Sequence, residues 1–176
     1  LLLIRLLLVV RLLLVLLGLI ALHGLNRPVS FDGAMNLQVA QSLARGEGYV
    51  RHYEGVRAFP IEVQTNVPYV VPAALVFRIA GVGLLQSQLV NYLYLLAFLG
   101  LVVFVVRRYF GTSAALAAAL GCVLVPGFHY IGMNGWGEIP ALAWWLAGSW
   151  LLLRDTGARA GARGLLGGGA CLGLAL

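Results

Sequence analysis

Apolar residues come in long blocks along this chain, and short polar stretches punctuate them. Leu6–Leu25 is the first block, with Arg5 and Arg11 toward its N-terminal end. Leu84–Val106 is the second and closes on Arg107–Arg108. Thr112–Pro126 is Ala-rich and reaches an adequate length if it extends through Phe128. Ile139–Leu153 is the fourth, and a fifth opens at Gly164 and runs to the last residue. A helix needs about 20 apolar residues to cross about 30 Å of hydrocarbon. The pattern therefore predicts an all-α polytopic membrane fold with spans at 6–25, 84–106, 112–128, 139–153 and 164–176, the last incomplete. Pro68–Ala80 is apolar but covers only roughly 20 Å as a helix, which predicts a re-entrant or interfacial element.

Two polar segments stand between blocks. Residues 26–83 form a long loop with short helices of its own, and residues 129–138 form a second, shorter one. In the stretch "FDGAMNLQVAQSLARGEGY", residues 31–49, Asp32 reads as the cap of a helix that passes through Gly33 and ends near Arg45. Gly46 then suits the left-handed position after the helix. "GEGYVRHYEGVRAFP" reads as irregular chain.

Composition supports the membrane reading. Hydrophobic residues make up 61% and charged residues 10%, against about 25% charged in an average soluble domain. Net charge is +6, and all 12 cations are Arg. Many of them sit singly or in pairs at block ends, so they report topology rather than nucleic acid. If Pro68–Ala80 does not cross, then Arg5, Arg11, Arg107, Arg108, Arg154, Arg159 and Arg163 all fall on one side, the cytoplasm. If it does cross, only Arg5 and Arg11 remain there. The first arrangement obeys the positive-inside rule and places both polar loops together on the outer side. Cys122 and Cys171 lie in apolar segments without metal-ligand spacing and read as packing residues.

Few residues are equipped for chemistry. Asp32 can cap a helix and still keep one oxygen free as a general base. Glu138, just before a span, either favours a helix N-terminus or acts on substrate. His129 shares its loop, but one His and one Glu make a weak metal site. Arg51 and Arg57, with His52 between them, suit a phosphate, or equally the anionic headgroups of lipids. Tyr49, Tyr53, Tyr69, Tyr130 and Trp136 fall where an interfacial aromatic belt is expected. No P-loop, dinucleotide fingerprint or Ser-His-Asp arrangement is present.

The order of these motifs resembles the start of the GT-C membrane glycosyltransferases, and most closely the protein O-mannosyltransferase and aminoarabinose transferase superfamily. A first span followed by "FDGAMNLQVAQSLARGEGY" looks like the opening of that family. "VPYVVPAALVFRIAG" resembles its Pro-rich interfacial helix. "VVFVVRRYFGTSAALAAAL" looks like the next span, basic turn and Ala-rich span, and "GEIPALAWWLAGSWLLLRD" like the second outer loop and its acid. The resemblance covers nearly the whole chain, as the N-terminal part of a member, and implies that this part alone is inactive. Two departures stand out. Gly33 occupies the place of a second acid, and "TNVP" replaces the more usual Thr-Gly-Pro.

The resemblance implies a sugar donor on a polyprenyl phosphate and a lipid, glycan or protein acceptor. It implies Asp32 as catalytic base, with Glu138, His129, Arg51 and Arg57 as substrate-binding candidates. It leaves a divalent metal open. The implied location is the bacterial inner membrane, with the active face outside. The competing reading is a non-catalytic polytopic protein, a transporter, flippase or assembly subunit. In that case charges inside the spans would mark a pathway. Here the acids lie in loops, and Arg11 is the one charge at depth within a clear span.

Overall fold

The computed structural model describes residues 2–25, 27–53, 56–57, 66–154 and 162–175. Eight helices are described: α1 (Leu2–Gly24), α2 (Phe31–Ala44), α3 (Val67–Ala80), α4 (Leu84–Phe110), α5 (Thr112–Leu124), α6 (Pro126–Met133), α7 (Glu138–Leu153) and α8 (Ala162–Ala175). Within the stretch expected to be irregular, β1 (His52–Tyr53) and β2 (Val56–Arg57) pair antiparallel, His52 opposite Arg57. The all-α membrane fold thus stands.

Helix α4 is the backbone of the bundle. It has 27 residues, and among the described residues it is the one helix long and apolar enough to cross a membrane unaided. It runs on to Phe110, past the expected end at Val106, because Gly111 with φ 86° is the first residue to leave the helix. Against its first half packs a core shared with α2 and α3: Val39 and Ala40, then Tyr69, Val70, Ala73 and Phe77, meet Val90. Deeper along α4, Leu95 and Leu99 meet Ile20 of α1, Val123 of α5, Met133 of α6 and Ile139 of α7.

The third block does not stay continuous. It bends by 72° between α5 and α6, so the expected span 112–128 is interrupted. The cause is Pro126. It pushes Val125 to φ −79°, ψ 115°, outside the helical region, and starts a new helix at its own first position. In consequence, the loop expected at 129–138 is half helical, and only Asn134–Gly137 is turn.

Helix α3 carries a second internal proline, Pro72. It has no N–H to give the carbonyl four residues back, that of Pro68. The Tyr94 hydroxyl of α4 donates to that carbonyl instead, at 2.8 Å. One face of α3 is therefore fastened to the bundle. Val67, Val71, Leu75 and Ile79 form an exposed apolar stripe on another. At the far end, α7 and α8 approach through small residues. A Cβ on Gly148 would lie 2.9 Å from the Gly168 carbonyl, so only glycine permits this spacing.

Candidate active site

Helix α2 begins two residues earlier than its sequence implies. Ser30 is the cap: its Oγ accepts from the Gly33 amide at 3.2 Å. Asp32 consequently lies inside the first turn, not at the cap. There it complements the positive end of the helix dipole without being tied to one amide. It is exposed, and no hydrogen bond or ion pair occupies its carboxylate among the described residues. At the other end of α2, Gly46 takes φ 79°, and the Gly46 and Glu47 amides return to the carbonyls of Leu43 and Ser42. This is the glycine stop that the sequence announced.

The turn Asn134–Gly137 is clasped onto the face of α2 that carries Ser30, Gly33 and Asn36. These three residues are spaced one helical turn apart. The Trp136 indole N–H donates to Ser30 Oγ. Gly33 is buried beneath the turn, and a Cβ there would overlap the Asn134 carbonyl. Asn36, 4% exposed, donates from Nδ2 to the Gly135 carbonyl at 2.6 Å and accepts at Oδ1 from the Asn66 amide at 3.2 Å. One buried amide thus joins α2, the turn and the start of α3. Gly135 and Gly137, with φ 73° and 89°, supply the left-handed backbone that this turn needs.

The clasp brings the start of α7 to the start of α2. Glu138 is the first residue of α7 and is exposed. Asp32 and Glu138 therefore flank one clasped junction, on residues whose backbones are fixed. Trp136, expected in an aromatic belt, is a member of the clasp. Beneath the junction, Tyr69 is fully buried beside Ser87 and Asn91. Burial pushes its phenol well above the usual range, and the Asn91 and Ser87 side chains offset part of that rise.

A groove opens beside the junction, between the second half of α1 and α6, with a volume of about 540 Å³. Leu16, Leu19, Ile20 and Met133 supply its apolar lining, and His23, Arg27, His129 and Asn134 its polar lining. His129 thus stands next to the junction, in the groove wall rather than in a loop. Arg27 and His23 were not singled out by sequence. Their signal was the phrase "HGLNRP", a cluster of polar residues at the end of the first block.

Arg51 stands elsewhere. Ser42 Oγ lies 3.1 Å from His52 Nδ1, which ties the hairpin to the far end of α2. Ten residues of helix separate Ser42 from Asp32, about 15 Å. The Arg51 backbone is held at that end with His52, while the Arg57 side chain falls outside the described residues. Glu47 also approaches His52 at Nδ1, at 3.5 Å. Both partners meet the same nitrogen, so Ser42, His52 and Glu47 cannot relay a proton as a hydrolase triad does. Among the described residues, no three His, Cys, Asp or Glu side chains come together as a metal site.

The family model for dolichyl-phosphate-mannose-protein mannosyltransferases matches residues 67–176. The chain belongs to that family. No curated protein and no solved structure matches it. As a member of the mannosyltransferase family, the chain is a membrane protein of glycosyltransferase type, which places it apart from the transporter reading. The matched residues contain His129, Glu138 and the whole of α3 to α8. Asp32, Arg27 and Arg51 precede them.

Proposed function

We propose that this protein moves a sugar from a polyprenyl-phosphate donor to an acceptor at the outer face of the bacterial inner membrane, with Asp32 as general base. The observation that carries the reading is the exposed, unpartnered carboxylate of Asp32 on a helix start that is clasped to the start of α7. A base must be held in place while its oxygen stays available. Here Ser30 and Asn36 hold the backbone, and Asp32 itself is spared that task.

In the reaction, an acceptor O–H or N–H gives its proton to an Asp32 oxygen as its O or N bonds to the anomeric carbon. The bond from that carbon to the phosphate oxygen breaks, and the electron pair leaves with the lipid phosphate. Attack opposite the leaving group inverts the anomeric centre, as one base and one leaving group on opposite faces require. Glu138, on the facing element, is placed to hold sugar or acceptor hydroxyls. The arginine distribution supports the topology: the ends at Arg107–Arg108 and Arg154 face the cytoplasm, and the clasp faces out. The exposed stripe of α3 fits a helix lying against acyl chains.

The test uses the full-length protein in proteoliposomes with a polyprenyl-phosphate hexose donor, and follows loss of sugar from the lipid. Asp32→Asn should lower turnover about 100- to 10,000-fold, the usual worth of a general base. Thermal stability in detergent should stay near wild type, because Ser30 and not Asp32 is the cap. Full turnover in Asp32→Asn would remove Asp32 from the reaction and turn attention to Glu138.

A further inference from the structure

We infer that the cytoplasmic ends of α4 and α7 together form a seat for the headgroup of an anionic phospholipid, with Arg108 and Arg154 as its two arms. The inference takes only its topology from the proposed function, and it needs neither Asp32 nor a sugar donor.

Helices α4 and α7 run parallel. Leu95 of α4 and Ile139 of α7 share one core, and both border Gly132. Further along, Phe104 of α4 and Trp150 of α7 meet edge to face, with ring centroids 5.0 Å apart. Residue numbers rise together from the first pair to the second, so the two helices point the same way. One helical turn past the aromatic pair come Arg108 on α4 and Arg154 at the end of α7, each four residues on. Arg154 folds back over its own helix, and its Cζ lies 4.9 Å from the Trp150 ring centre. Arg107 adds a second cation to the last turn of α4. Two arginine-bearing helix ends thus stand side by side.

Helix ends alone do not use up this charge. Each carbonyl end carries about half an elementary negative charge, so two ends balance about one arginine. Three arginines are present at these ends. Across the two connecting segments, residues 107–111 and 154–163, five arginines stand against one acid, Asp155. Arg107 and Arg108 are exposed, and neither has an ion pair among the described residues. The surplus calls for an anion from outside the chain. The neighbouring surface says which kind. Phe104 and Leu153 are exposed and apolar. Trp150 adds an indole, a ring that favours the boundary between hydrocarbon and headgroups. A soluble phosphate would leave this apolar surface uncovered. A phospholipid covers it with an acyl chain and brings its phosphate to the guanidinium groups, whose fork matches phosphate oxygens. Basic sites between helices at the cytoplasmic side of a membrane suit anionic headgroups for the same reason.

Native mass spectrometry of the full-length protein tests this, with dioleoyl phosphatidylglycerol and dioleoyl phosphatidylcholine as probes. Their chains are the same, so the difference between them reads headgroup charge. Wild type should retain phosphatidylglycerol in preference. Arg108→Gln combined with Arg154→Gln should weaken phosphatidylglycerol about 25-fold, since each arginine at a membrane surface is worth about fivefold. Phosphatidylcholine should bind as before. Arg108→Gln alone, at an exposed position, should lose about fivefold and carries the test if the double variant does not fold. Arg5→Gln, on the same side of the membrane by topology, should change neither lipid. Asp32→Asn should bind both lipids as wild type does, whatever its turnover, so the two readings fail separately. Equal retention of the two lipids by wild type would overturn the inference. So would unchanged phosphatidylglycerol binding in the arginine variants. An equal loss in Arg5→Gln would also overturn it, because it would mean diffuse attraction to a basic surface and no seat.

Discussion

Asn36→Ala is the most informative perturbation of the clasp. The wild-type side chain satisfies two backbone groups that water does not reach in its place: the Gly135 carbonyl at 2.6 Å and the Asn66 amide at 3.2 Å. Alanine leaves both without a partner. Each buried, unsatisfied group costs about 1–3 kcal/mol, so the loss is about 2–6 kcal/mol. That is a large share of the roughly 5–15 kcal/mol by which proteins are stable. In a chain of this size it corresponds to a fall of about 4–24 °C in the melting midpoint. Asn36→Asp is the sharper variant. It keeps the acceptor for the Asn66 amide but sets a carboxylate against the Gly135 carbonyl, acceptor against acceptor. It should be at least as destabilised as Asn36→Ala at neutral pH. Lowering the pH, which protonates the new carboxyl and restores a donor, should recover part of the loss. Thermal unfolding in detergent at two pH values reads all of this, and donor turnover should fall in parallel as the start of α7 loses its register. Wild-type midpoints for both variants would refute the view that this amide holds the two elements together.

Two further outcomes follow from the same geometry. Ser30→Ala removes both the helix cap and the acceptor of the Trp136 indole, and should cost about 1–2 kcal/mol of stability. Asp32→Ala should cost less, so detergent melting that ranks the two in reverse order would return Asp32 to the cap. For topology, single cysteines at Glu47 and Tyr130, both exposed, should react with an impermeant thiol reagent in intact cells once Cys122 and Cys171 are replaced by alanine. One at Thr112 should react only after permeabilisation, and labelling of Thr112 together with Glu47 would mean that α3 crosses the membrane.

Local chemistry accounts for what could be read early. The glycine stop at Gly46 and the apolar helices α1, α4 and α7 are each decided by a few adjacent residues or by a continuous apolar run. The interruption at Val125 was also written locally, in Pro126. It was outweighed by the apolar character that continues through Phe128. The start of α2 was misplaced by two residues. Ser30 and Asp32 are both good caps, and the Trp136 indole, from more than a hundred residues away, adds to the hold on Ser30.

The sequence by itself determined that this chain lives in a membrane, that its acids lie in loops, and which motif order it shares with its family. Those properties follow from hydropathy and spacing, which need no partner. Only the tertiary structure decided what meets what. It set Gly33 under the Asn134 carbonyl, where a side chain has no room, and so gave a steric reason for glycine at that position. It made Asn36 the joint between two distant segments, a role invisible in one polar residue of an unremarkable helix. The length of α2 carries the hairpin and Arg51 away from Asp32, while a buried Gln88 on α4 holds the Arg27 backbone. Contacts between residues 60 to 100 positions apart are set by how helices stack, and no local pattern encodes that.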